Sequence, residues 1–91
     1  MGKAEAETTI LNKYGFHARP STSFSLLAKK FAAAITVEIN GVQADGKSVM
    51  GLMAMGAGCG SVLQIRADGA DAEQAVAALK THVDDRFGGI E

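Results

Sequence analysis

Tryptophan is absent from this chain, and cysteine, proline and tyrosine occur once each. A lone Cys59 cannot close an internal disulfide, which excludes a secreted disulfide scaffold. Charge of either sign is not in excess. The formal net charge is −1, so there is no basic field to hold a polyanion, and nucleic acid is not expected as a partner. No apolar run approaches the ~18 residues of a membrane span. The start, Met1 to Ala6, is short and polar with no apolar segment of signal-peptide type, and Ala6 departs from the myristoylation pattern. The expectation is a monomeric cytoplasmic protein in a reducing environment, with no membrane partner. His17, His82 and Cys59 lack metal-ligand spacing. The glycine-rich loop Gly56 to Gly60 is not followed by Lys-Ser/Thr, so it is not a phosphate loop. No metal and no cofactor are expected. With 91 residues the chain is expected to form one domain, 1–91, with an ordered core over 6–87.

The single proline marks the most informative stretch, Tyr14-Gly15-Phe16-His17-Ala18-Arg19-Pro20. Proline is tolerated in the first turn of a helix, where its missing N–H costs nothing. Gly15 permits a sharp bend before it. His17 therefore sits at a helix start, beside amides without intrahelical partners and at the positive end of the dipole. Such a position attracts anions. A neutral imidazole nitrogen there can attack phosphorus, and the free amides and Arg19 can receive the phosphoryl oxygens. The alternative is a surface histidine without a task, and the heptapeptide alone leaves both readings open.

The remaining pattern predicts the element order β-α-β-β-α-β-α. Thr8-Thr9-Ile10 places a strand over Ala6–Asn12. Phe24, Leu27, Ala28 and Phe31 form one helical face, with Ser23, Lys29 and Lys30 outward and the lysines in the last turn. Ile35, Val37 and Ile39 alternate with polar residues, and Asn40-Gly41 predicts a hairpin into Val42–Asp45. Ser48 is placed to cap a short helix, Val49–Met55. Leu63, Ile65 and Ala67 form the last strand. Asp71 with Gln74 suggests a capping box before a helix carrying Ala72, Val76, Leu79 and Val83, which Phe87 closes. His82, beside that stripe, is expected to be solvated. The fold class is α+β: an open-faced two-layer sandwich, with helices covering the apolar face of one sheet. Val49, Met50, Leu52, Met53 and Met55 surround a helix too short to bury its whole circumference. Some methionines must then be exposed, which suits adaptable binding.

Gly15-Phe16-His17-Ala18-Arg19-Pro20, with Gly46-Lys47-Ser48-Val49-Met50-Gly51-Leu52-Met53 downstream, closely resembles HPr, the histidine-containing phosphocarrier family of the bacterial phosphoenolpyruvate-dependent sugar phosphotransferase system. The resemblance covers roughly Ala6 to Phe87. It implies a four-stranded antiparallel sheet with three helices on one face. It also implies a carrier rather than an independent enzyme. His17 would accept phosphate on Nδ1 from enzyme I and pass it to sugar-specific IIA proteins, with Arg19 steadying the group. Ser48 resembles the site modified by an HPr serine kinase/phosphorylase. The family's partner surface would include Phe16, Thr22, Val49, Met50 and Met53, with Lys47 and Lys29 adding charge. The chain departs from the family at Ser21-Thr22, where two alanines are common, at Phe16, where Leu or Ile is commoner, and at Cys59. Two other readings stand beside the carrier. One is a regulatory module of the same fold, nitrogen-type or catabolite-control. The other is a small hydrolase of acylphosphatase type, for which Arg19 lacks a converging asparagine.

Overall fold

The computed structural model describes residues 2–91. The elements are β1 (Lys3–Thr9), α1 (Ala18–Ala28), β2 (Ala34–Ile39), β3 (Val42–Asp45), α2 (Val49–Ala54), β4 (Val62–Asp68) and α3 (Ala72–Asp84). The four strands form one antiparallel sheet in the order β1-β4-β2-β3. Among the described residues no helix is long and apolar enough to cross a membrane.

Alternation divides the sheet into two faces. Ile35, Val37, Ile39, Leu63, Ile65 and Ala67 are buried under the helices with Phe24, Leu79 and Val83. The other face is polar. Arg66 lies opposite both Glu5 and Thr36 in register, and its guanidinium reaches Glu38 at 2.7 Å and Glu5 at 3.6 Å. Like the i,i+4 rule on a helix, such cross-strand pairs support the register more than they add stability.

Several boundaries and faces differ from expectation. β1 covers Lys3–Thr9 rather than Ala6–Asn12, because β4 pairs with it from Lys3↔Asp68 to Thr9↔Val62. Beyond Thr9 the chain leaves the ladder, and Ile10 exchanges backbone bonds with Ser61 and Gly60 instead. α1 ends at Ala28, so Lys29 is its C-cap and Lys30 lies outside it. Its buried face is Pro20, Ser21, Phe24, Ser25 and Ala28, while Leu27 and Phe31 are only half-buried. Two serines can line the core because each hydroxyl is satisfied: Ser21 donates to the Phe16 carbonyl at 3.1 Å and Ser25 to the Lys47 carbonyl at 2.7 Å. Periodicity counts apolar residues and so misses such positions.

His82 is not solvated. It is half-buried, shares a 2.7 Å hydrogen bond with Ser23, and meets the Phe87 ring edge-on at 5.6 Å. Burial holds its pKa below the usual histidine value. Phe87 is buried in a turn, Arg86–Gly89, whose φ angles are all positive, so this segment is a left-handed reversal rather than a helical turn. Asp71 does not form the expected capping box. Its carboxylate instead accepts from the amides of Ala32 at 2.8 Å and Ala33 at 2.9 Å, pinning the α1–β2 turn to the start of α3. A local capping pattern yielded here to a long-range partner pair.

Those amides, the Ala32 bond first, hold the Asp71 carboxyl below its ordinary pKa of 3.8. A depressed folded-state pKa gives stability that is present above the ordinary value and is lost as pH falls through the folded one. Glu38, lowered chiefly by Arg66, and Asp84, lowered chiefly by Lys80, share that acid loss. Asp71→Ala should therefore lower the urea midpoint at pH 7 and flatten its decline below pH 3.8. Parallel acid profiles for the two proteins would remove Asp71 from this account.

Candidate functional site

Gly15 sets the site's geometry. It takes φ +60°, a region that L side chains rarely enter, and an added Cβ would lie 2.0 Å from the Ala57 carbonyl oxygen. The bend lets Phe16 donate its amide to that same oxygen at 3.0 Å. It also turns the Phe16 ring inward, where it is 3 % exposed and packs against Phe24 and Phe87 with centroids 5.6 and 5.4 Å away. Phe16 is thus an anchor of the core, and the expectation that it forms part of a partner surface is corrected.

His17 follows as the N-cap of α1. Its backbone is extended, with φ −79° and ψ −171°, and its side chain makes no capping bond. The amides of Ala18 and Arg19 in the first turn accordingly lack an intrahelical partner, and Pro20 has none to leave open. The Tyr14 ring stands edge-on to the imidazole at 6.0 Å, and Lys13 Nζ lies 5.2 Å from the centroid of the Tyr14 ring. Of the two imidazole nitrogens, Nε2 is buried without a hydrogen-bond partner. Arg19 is exposed in the first turn. Among the described residues it enters no ion pair. An imidazole, first-turn amides without intrahelical partners and an exposed guanidinium therefore share one helix end, and among the described residues no carboxylate is salt-bridged to the arginine.

α2 packs beside α1. Ser48 caps it, its Oγ accepting the Gly51 amide at 3.0 Å. Lys47 is tied down from three directions. Its amide bonds Asp45, its carbonyl accepts Ser25, and its ammonium donates to the Phe31 carbonyl at 2.8 Å. The expected steering charge is thus engaged just past the C-terminal end of α1, where a cation offsets unsatisfied carbonyls. Leu52 alone of α2 is fully buried, Val49 is half-buried, and Met50 and Met53 are 77 % and 40 % exposed. Thr22 is exposed and bonds back to the Ala18 carbonyl at 2.8 Å. Cys59 is exposed in the glycine-rich loop.

Asn12 was missed as a site residue. It is fully buried, and its amide donates to the Gly15 carbonyl and to the main-chain oxygen of Glu91, each at 2.8 Å. Asn12 read locally as a turn residue. Its partner at residue 91 lies outside the reach of any local pattern.

A family model described as "PTS HPr component phosphorylation site" matches residues 4–85. The chain belongs to the HPr family. The phosphocarrier protein HPr of Cupriavidus necator is 42% identical over 84 residues, covering 92% of this chain and 94% of that one. The phosphocarrier protein NPr of Shewanella violacea is 38% identical, covering 96% of each. The crystal structure of HPr-C-His from Thermoanaerobacter tengcongensis superposes with a TM-score of 0.91 at 38% identity, over 97% of this chain and 99% of that one. The sandwich described above is the HPr fold. The family work is that of a phosphotransferase-system carrier rather than a catalyst.

The contact between Gly15 and Ala57 gives a direct test. Gly15→Ala must move two backbone segments or leave the bend, so it should cost at least about 2 kcal/mol. Urea unfolding measures this, and an unchanged midpoint would show that the bend is not under constraint.

Proposed function

We propose that this HPr-family chain carries a phosphoryl group on Nδ1 of His17, between enzyme I and sugar-specific IIA proteins. The observation that carries the reading is the burial of Nε2, which leaves Nδ1 as the nitrogen for an incoming group. In the acceptor tautomer the proton rests on Nε2, and the Nδ1 lone pair attacks phosphorus. The donor's bond to phosphorus breaks and its electron pair returns to the donor. The three phosphoryl oxygens then meet the first-turn amides and the Arg19 guanidinium. The reverse displacement hands the group to the next protein. Neither step needs a metal or cofactor from this chain.

The docking face in this reading combines exposed Thr22 with half-buried Val49 and with Met50 and Met53, whose thioethers adapt to unlike partners. Ser48 is the regulatory position, the substrate of a serine kinase/phosphorylase. A phosphate there would add about −1.5 to −2 charge next to that apolar face. It would also sit near Asp45, whose carbonyl accepts the Ser48 amide. Docking would weaken by repulsion and desolvation.

Incubation with enzyme I and phosphoenolpyruvate should place an acid-labile label on the protein. His17→Ala should take up none while keeping its circular dichroism spectrum, and acid-labile label on that variant would sink the assignment. With an ATP-dependent serine kinase, an acid-stable label should appear and vanish in Ser48→Ala. Ser48→Asp should raise the KM for enzyme I by about tenfold, as expected for one lost or opposed charged contact. An unchanged KM would separate Ser48 from the docking face. The NPr relative favours a second reading, a nitrogen-type regulatory carrier. A protein that accepts phosphate from enzyme I yet charges no sugar-specific IIA protein belongs to that branch.

A further inference from the structure

We infer that Asn12 is a positioning residue for the phosphoacceptor. The inference rests on the carrier reading for its consequence and on the geometry of the loop for its cause. One carbonyl stands at the centre of that geometry. Gly15 O receives the Asn12 side-chain amide at 2.8 Å and also the backbone amide of His17 at 3.0 Å. Asn12 therefore holds the acceptor to which His17 is itself tied. The second Asn12 hydrogen goes to the main-chain oxygen of Glu91 at 2.8 Å, and the Tyr14 amide donates to that same oxygen at 2.7 Å. Two main-chain oxygens and one buried side chain thus brace the whole bend from residue 12 to residue 17 against residue 91. Tyr14, held by this brace, is also the ring that stands against His17.

The remaining Asn12 atom makes a structural filler an inadequate account. Its Oδ1 is buried with no hydrogen-bond partner. Both donors face main-chain oxygens, which only accept, so exchanging the oxygen and nitrogen would set three acceptors against one another, and the amide has only one workable orientation. A buried orphan acceptor opposes stability. A side chain that carries this cost while directing one donor at Gly15 and the other at residue 91, which also holds Tyr14, is what a positioning role requires. In-line attack by Nδ1 depends on where the imidazole stands, and an error of about 1 Å in such a placement can cost up to a hundredfold in rate. Asn12 does not touch the phosphoryl group. It acts through Gly15 and the His17 main chain.

The experiment compares wild type, Asn12→Ala and Val83→Ala. Val83 is a fully buried residue of α3 outside the site, and its variant serves as a control for loss of stability alone. Phosphoryl transfer from enzyme I charged with phosphoenolpyruvate is measured with carrier concentration varied. Asn12→Ala should lose about tenfold or more in kcat with KM within about twofold of wild type, since the docking face is untouched. Val83→Ala should keep kcat. In wild type, the His17 amide should be protected from hydrogen exchange, and its protection should fall in Asn12→Ala, together with a shift of the His17 ring 15N resonances. Transfer by Asn12→Ala at the wild-type kcat overturns the inference. So does an equal kcat loss in both variants, or a His17 amide that exchanges freely in wild type. The exchange measurement needs no folded variant. It also needs no phosphate, so it tests the brace even if wild type accepts no phosphate from enzyme I. Failure of that uptake would count against the carrier reading, whereas an unprotected His17 amide would count against Asn12.

Discussion

The site depends on one close approach. Gly15 and the Ala57 carbonyl leave no room for a side chain between them, and from that constraint the local architecture follows. The positive φ reverses the chain and sends Phe16 into the core between Phe24 and Phe87. The next residue, His17, emerges at the first amides of α1. A buried aromatic anchor and a half-buried imidazole thus sit on adjacent residues. Burial of Phe16, on the order of 1.5–3 kcal/mol for such a side chain, keeps the histidine where it is. The stability of the core and the readiness of the site draw on the same bend.

The second half of the surface has a different origin. α2 spans only Val49–Ala54, and a helix that short cannot bury both sides. Leu52 anchors it, the Ser48 cap starts it, and Met50 and Met53 remain outside. The two helix N-termini belong to packed neighbours, tied by the Ser25 bond to the Lys47 carbonyl. His17 is half-buried at the start of α1 with Arg19 exposed beside it, so the site lies at the surface.

Much of this was legible along the chain. Ile35, Val37 and Ile39 with Asn40-Gly41 marked a hairpin, and His17-Ala18-Arg19-Pro20 marked a helix start, because period and turn chemistry are local physics. Several of the readings that did not hold involved a partner far away in sequence. Asp71 looked like a cap but bonds Ala32 and Ala33. Lys47 looked free but is held by Phe31. His82 looked solvated but meets Ser23 and Phe87. Phe16 looked like a contact residue because its motif neighbours are at the surface, and nothing local to it reveals which way its ring turns.

The order of elements, the placing of His17 at a helix start and the cap of α2 were legible in the sequence itself, since each is a matter of spacing and turn chemistry over a few residues. The tertiary structure alone decided which imidazole nitrogen is buried, which lysine is spent on a helix end, and that Asn12 ties the bend before His17 to residue 91. Those are choices among polar partners. A buried donor or acceptor must find its partner wherever the fold brings one within about 3 Å, and that distance is not written in any stretch of chain.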